Sequence, residues 1–421
     1  MVKRPSFFYG WYIVLVASLT MVLAYGIRHT FSVFFPPILD EFGWNRGDTA
    51  FIYSLNLFTY GLLGPLSGTL ADRWKPRRLA MIGFALLSLS AAGNALARQL
   101  WQFYLLFGVF AAMGVSFLGW PIMAPALTNW FAKKRGMVLG IGQMGGGLSF
   151  VYGMFANFVI SLAGWRVAYL VLAGAVVFIL MPVYLTFFRY RPEEKGLRAY
   201  GADEVVVFNH NVRGRASLAD NDWTLRQAIK TPQLWLLVVS QSLYWGIGCY
   251  LVLTHLVKFA EDAGFTSTIA ASVFALYGII MVGGQVSGFI SDRIGREMAG
   301  TIATILAMAG VLALLLVQDT SQLWLLYIYA ALFGYGAGLY SPTVVAAAAD
   351  FFHGRHFGAI AGLLLTGMGM GGIFGPWLGG YIYDRTGSYT LAFILVIIAF
   401  ALSCLALWIA APRKAARLRR T

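Results

Sequence analysis

Two adjacent residues, Arg28 and His29, are the pair in this chain best equipped to do chemistry. An arginine head is a planar, permanently charged fork that grips a carboxylate through two parallel hydrogen bonds, and a histidine titrates near neutrality. Both sit inside an apolar stretch near residues 11–37. Arg28 is the only cation within any such stretch, and all 17 carboxylates of the chain map to loops or stretch ends. Arginine at membrane depth costs at least ~2.5–3.5 kcal/mol, so its head must meet a wet cavity or a partner, or else snorkel to the surface or bond exposed backbone carbonyls. The expectation taken forward is that Arg28 meets a substrate anion. Neighbouring helical residues point about 100° apart, so the two cannot face one cavity equally well. His29 is expected to tune or shuttle a proton; the other readings are a plain hydrogen bond to a neighbouring helix, or a proton that travels on the substrate's own carboxylate.

The elements that must position this pair are long and apolar. A chain of 421 residues that is 59% hydrophobic and 11% charged cannot hide so much apolar surface in one soluble core. Runs long enough to span a bilayer occur near 11–37, 50–71, 79–97, 101–130, 136–162 and 166–188, then near 233–259, 268–290, 298–317, 322–349, 357–382 and 388–411. The net charge of +14 follows the same frame. Of 31 Lys and Arg residues, 25 fall at the termini and in the loops after spans 2, 4, 6, 8 and 10, and five (Arg46, Arg98, Arg166, Lys258, Arg385) in the odd-numbered loops. That bias predicts cytoplasmic termini and an inner (plasma) membrane location, and makes nucleic acid an unsuitable partner. Cys249 and Cys404 both lie in spans, so reduced thiols and no metal site are expected.

Two repeats divide the chain. Gly68-Thr-Leu-Ala-Asp72-Arg73-Trp-Lys-Pro-Arg77-Arg78 returns as Gly288-Phe-Ile-Ser-Asp292-Arg293-Ile-Gly-Arg296, offset by 220 residues. Pro121 to Asn129-Trp-Phe returns as Pro342 to Asp350-Phe-Phe, offset by 221, and each is followed by a basic turn and a glycine-rich helix. The pattern predicts an all-α membrane protein of twelve transmembrane helices in two pseudo-symmetric six-helix bundles, residues 1–188 and 231–421, joined by a cytoplasmic linker at 189–230. A short interfacial helix is expected near 222–230. Small residues at close spacing predict that spans 5 and 11 cross partners of the opposite half.

Over essentially its whole length the chain resembles the major facilitator superfamily. The loop 2–3 signature Gly-x-x-x-Asp-Arg-x-Gly-x-Arg-Arg is matched at Gly68, Asp72, Arg73, Arg77 and Arg78, with Lys75 at the usual glycine. The weaker copy is matched at Gly288, Asp292, Arg293, Gly295 and Arg296. Arg28-His-Thr-Phe-Ser-Val-Phe-Phe-Pro-Pro-Ile-Leu-Asp-Glu-Phe-Gly-Trp44 resembles the first span of the oxalate/formate antiporter and monocarboxylate transporter branch. The resemblance implies small carboxylates moved by proton symport or exchange, with Asp72, Arg73, Asp292 and Arg293 gating rather than touching substrate. It also exposes a departure: the span 8 arginine of carboxylate-binding members, four residues before the motif glycine, is replaced here by Gly284, followed by Gln285.

Candidate substrate-binding residues are therefore Arg28, His29, Trp120, Gln143, Tyr250, Gln285 and Tyr335. Trp120 and Tyr335 are chosen because the resemblance puts them near binding positions on spans 4 and 10. An aromatic cavity with one cation suits a carboxylate with an apolar or ring-containing body. The expected activity is proton-coupled symport of a small organic anion, foremost a monocarboxylate, by a monomer in the bilayer. Efflux of hydrophobic drugs or metabolites is the rival, and a receptor or assembly protein without transport is a second. Gly114-Val-Ser-Phe-Leu-Gly119 has no preceding strand, so nucleotide binding fails its context test. No cofactor and no enzymatic activity are expected.

Overall fold

Breaks in helical geometry, more than changes in composition, divide this chain into spans. The computed structural model describes residues 8–74, 76–201, 223–352 and 357–412, except the side chains of residues 69, 71–73 and 135. The described residues form twelve membrane-length helices: α1 (Gly10–Phe42), α2 (Arg46–Arg73), α3 (Pro76–Leu96), α4 (Leu100–Trp130), α5 (135–163), α6 (165–187), α7 (Pro232–Asp262), α8 (Ser267–Ile294), α9 (Arg296–Leu315), α10 (Leu323–Phe351), α11 (Phe357–Thr386) and α12 (Thr390–Ala410). The division between α5 and α6 is made by Gly164 alone, at φ 83° and ψ 164°, a conformation that only glycine adopts without strain. Gly295 at φ 94° separates α8 from α9 in the same way.

Several spans are interrupted near their middles. α1 breaks at Thr30, whose amide still bonds the Gly26 carbonyl, and continues through Pro36 and Pro37, which lack amide donors. α4 and α7 contain π-helical stretches, Tyr104–Ala111 and Ser242–Cys249. Such wide turns shift the register of the side chains beyond them and recur at functional sites. In α7 the stretch ends just before Tyr250.

The two halves meet along glycine seams. A Cβ on Gly61 would lie 2.7 Å from Gly369 Cα, so α2 and α11 touch backbone to backbone. α5 and α8 do so at Gly147 and Gly278, where added Cβ atoms would run into the facing carbonyls. α5 therefore crosses α8, and α11 crosses α2, each from the opposite half. Without a hydrophobic driving force between helices in lipid, this close approach supplies the packing.

Large apolar side chains such as Leu162, Phe178, Leu316 and Ile409 cover the outer faces, Phe178 being 80% exposed. That surface fits a hydrocarbon solvent and would be a liability in water. The segment after α6 folds back on the first half: the Tyr200 amide donates to the Trp130 carbonyl at 2.9 Å, and the Ala132 and Lys133 amides donate to the Tyr200 carbonyl at 3.0 Å. The short helix Leu225–Ala228 begins at a Thr224 cap, and neighbouring Trp223 stands edge-on to Phe352 of the second half. The two ends of the connection are thus anchored on different bundles.

Candidate functional site

The site is built around the break in α1. Arg28 is 1% exposed, and its Nε and Nη2 have no hydrogen-bond partner. Its guanidinium lies over the Tyr60 ring at 4.2 Å and within 5.9 Å of the Tyr250 ring, so α2 of its own half and α7 of the other half both face it. Tyr25 and Tyr60 share a hydroxyl–hydroxyl bond of 2.5 Å, which fixes the ring under the cation. Tyr53 meets Tyr250 edge-on at 5.9 Å and extends this aromatic wall. Cation–π contact compensates a charge through the ring face but leaves N–H donors unbonded. The two orphaned nitrogens form one edge of the guanidinium, the edge that a carboxylate engages side-on.

His29 points elsewhere, as the helical geometry requires. Its ring stacks on Phe150 at 4.2 Å, and Nδ1 is 2.7 Å from Ser149 Oγ. The Ser149 hydroxyl already donates to the Gly146 carbonyl at 2.6 Å, so His29 Nδ1–H is the donor to Ser149 and Nε2 keeps a bare lone pair.

The other expected residues fall into two groups. Tyr250 belongs with Arg28. Trp120, Gln143, Gln285 and Tyr335 lie closer to the face where α1 begins and α12 ends, here called the terminal face. Trp120 follows the Gly119 kink of α4, and its indole packs against α5 at Gly142. The Tyr335 hydroxyl donates to Ser287 Oγ at 2.8 Å. Gln143 and Gln285 each have a buried Oε1 without a partner. The position that resemblance marked for an arginine has no room for one: a Cβ on Gly284 would run into the Tyr335 carbonyl of α10 and lie 2.9 Å from Gly338 Cα. The residue of α8 facing inward at that level is Gln285.

The Major Facilitator Superfamily model matches residues 17–327 and 287–421. This chain belongs to the Major Facilitator Superfamily. It is similar to human "Monocarboxylate transporter 11", 27% identical over 93% of this chain and 80% of the relative. Rat "Monocarboxylate transporter 13" is 24% identical over 93% and 87%, respectively. "Probable sulfoacetate transporter SauU" of Cupriavidus necator is 25% identical over 90% and 89%. The fold matches the crystal structure of a bacterial homologue of the human lysosomal transporter Spinster in an inward-facing, occupied conformation, with TM-score 0.67 and 17% identity over 99% of this chain and 98% of that one. The protein is a multi-pass membrane transporter and not an enzyme, and the relatives it resembles include monocarboxylate transporters.

In this superfamily member the charged contacts between halves gather at the face opposite the termini. Arg46, the first residue of α2, donates from Nη1 to Asp262 Oδ2 at 2.5 Å and to the Tyr389 hydroxyl at 2.9 Å, and its guanidinium lies 3.5 Å from the Tyr383 ring centre. The α2 amides of Arg46 and Gly47 donate to the two oxygens of Asp384, at 3.0 and 2.8 Å. Asn45 provides no side-chain cap for α2, so a carboxylate from α11 caps this helix across the domain boundary. Lys258 pairs with Asp262 at 3.1 Å and approaches Asp40 of α1 at 4.0 Å. The Tyr389 hydroxyl lies 3.1 Å from His255 Nδ1, and His255 Nε2–H donates to the Pro376 carbonyl at 2.8 Å, so both ring nitrogens are occupied.

At the terminal face the side chains of Asp72 and Arg73 lie outside the described residues. Asp292 pairs with Arg296 at 2.5 Å, and Arg296 Nε reaches Asp350 of α10 at 2.9 Å. Arg293 instead lies near the Phe289 ring, at 5.6 Å. The second motif copy thus ties α8, α9 and α10 together within one half. Sequence reasoning missed the Arg46 cluster, although a signal existed. Three of the five basic residues that break the charge bias, Arg46, Arg166 and Lys258, are ion-paired.

Proposed function

We propose that this transporter moves a small organic anion, foremost a monocarboxylate, by proton-coupled symport through alternating access. The observation that carries the reading is the orphaned Nε–Nη2 edge of Arg28, buried between Tyr60 of one half and Tyr250 of the other. An unpaired buried charge is costly, and a bidentate carboxylate removes that cost while linking the two bundles. The names of relatives that denote monocarboxylate and sulfoacetate transport support an anionic cargo. The charge bias supports a cytoplasmic terminal face, so closure at the opposite face corresponds to a carrier open to the cytoplasm. Asp72, Arg73, Asp292 and Arg293 then belong to the face that closes in the other half of the cycle. The bare Nε2 of His29 is the site for the coupled proton, beside but not within the carboxylate site. Efflux of hydrophobic compounds gives the unpaired Arg28 nothing to do.

In proteoliposomes, Arg28→Ala should weaken carboxylate uptake by about 100-fold, since two charge-assisted hydrogen bonds are lost. Arg28→Lys should recover only part of this, because an ammonium cannot bond side-on. Uptake that survives Arg28→Ala at unchanged affinity sinks the reading. His29→Gln should abolish accumulation driven by a proton gradient while leaving counterflow exchange intact; gradient-driven accumulation at the normal level would remove His29 from the mechanism.

A further inference from the structure

The register of α5 against α8 places two glutamines opposite one another across the boundary between the halves. Gly147 meets Gly278 and Val282, Phe150 meets Phe274 and Gly153 also meets Phe274, so α5 numbers rise as α8 numbers fall and Gln143 lies level with Gln285. On α5, Gly142 faces α4 and Gly147 faces α8; at 100° per residue, Gln143 points between those two helices. On α8, Gly278 faces α5 and Gly284 faces α10, and by the same count Gln285 points between them. Both directions converge on the space enclosed by α4, α5, α8 and α10. Each amide has a buried, unpartnered Oε1 there, one from each half.

We propose that Gln143 and Gln285 form a second substrate subsite that takes a hydroxyl group at the far end of the carboxylate cargo, bridging the two bundles. This rests on the reading of Arg28 as the carboxylate site. Buried amide oxygens without donors are rare in folded proteins, and two that converge call for a shared ligand. A hydroxyl both donates and accepts, so it satisfies the pair whichever way each amide is turned. Gln143 is six residues below Ser149, the partner of His29, which puts the subsite roughly 9 Å nearer the terminal face at 1.5 Å per residue. The cargo class is therefore an extended monocarboxylate with a hydroxyl near its distal end and an apolar middle, which Trp120 and Tyr335 can flank.

The test is ligand binding to the purified full-length protein in nanodiscs, comparing straight-chain carboxylates with their terminally hydroxylated counterparts across a range of chain lengths. The expected result is a gain of about tenfold in affinity from the hydroxyl, greatest near the length that spans roughly 9 Å. Gln143→Leu and Gln285→Leu should each bring the two series to parity. Equal affinity of both series for the wild-type protein overturns the subsite, as does a hydroxyl preference that survives both substitutions. The wild-type comparison needs no variant to fold. If neither series depends on Arg28 in the same assay, the carboxylate site itself has failed and the subsite falls with it. Equal binding that still requires Arg28 rejects the subsite alone.

Discussion

The two faces of this transporter are held by different kinds of contact. At the opposite face, Arg46 and the first amides of α2 reach Asp262, Asp384 and Tyr389 of the other half. At the terminal face, the described charge pairs around Arg296 stay within one half. Between them, the glycine seams of α2 with α11 and α5 with α8 carry no charge. Opening the opposite face therefore means breaking a small set of polar bonds, while the seams can act as the surfaces on which the bundles turn. The difference teaches that the repeated Gly-x-x-x-Asp-Arg motif, the strongest signal of duplication, stands on the face where the described charge pairs stay within one half. The linked face shows no repeat: at an offset of 221, Arg46 corresponds to Ser267, which has no comparable charge.

Arg46→Ala gives the largest expected shift, because it removes an ion pair, a hydroxyl contact and a ring contact at once. Distances between spin labels at Arg98 and Thr320, exposed on the opposite face of each half, should show the open population rising by roughly tenfold or more. Exchanging the charges, Arg46→Asp with Asp262→Arg, should recover part of the closed state; no recovery would mean that the ion pair matters less than the tyrosines. Asp384→Ala comes next, with about a tenfold shift for the loss of a cap. Asp384→Asn should stay within about threefold of the parent, since asparagine caps a helix nearly as well as aspartate. Equal effects of alanine and asparagine would show that Asp384 acts by charge and not as a cap. Arg296→Ala should be smallest, changing the label distances by less than about twofold in population while lowering thermal stability. A large shift toward either open state would break the distinction between the faces.

Much of the architecture was legible because membranes impose length and hydropathy on each span. The twelve helices, the crossing of spans 5 and 11 onto the opposite half, and the isolation of Arg28 from any carboxylate all follow from patterns within single segments. The cluster at Arg46 was not legible, because its partners lie 216 and 338 residues away and each looks like an ordinary loop charge. Gly284 misled for a related reason. Position counting showed an absent arginine but not the direction of the side chain, and α8 turns that position into the α10 backbone. The break at Thr30 and the π-helical stretch before Tyr250 also escaped notice, since irregular turns inside apolar runs leave no compositional mark.

The cap that Asp384 lends to α2 has a bearing on how this chain is made. During synthesis the first turn of α2 leaves the ribosome long before residue 384 exists, and the bonds that hold the Arg46 and Gly47 amides in the finished fold cannot yet form. The second helix of the protein therefore reaches its final form only when the eleventh arrives. Until then its leading amides must bond water or lipid headgroups, so the first bundle waits on the last part of the second to finish folding.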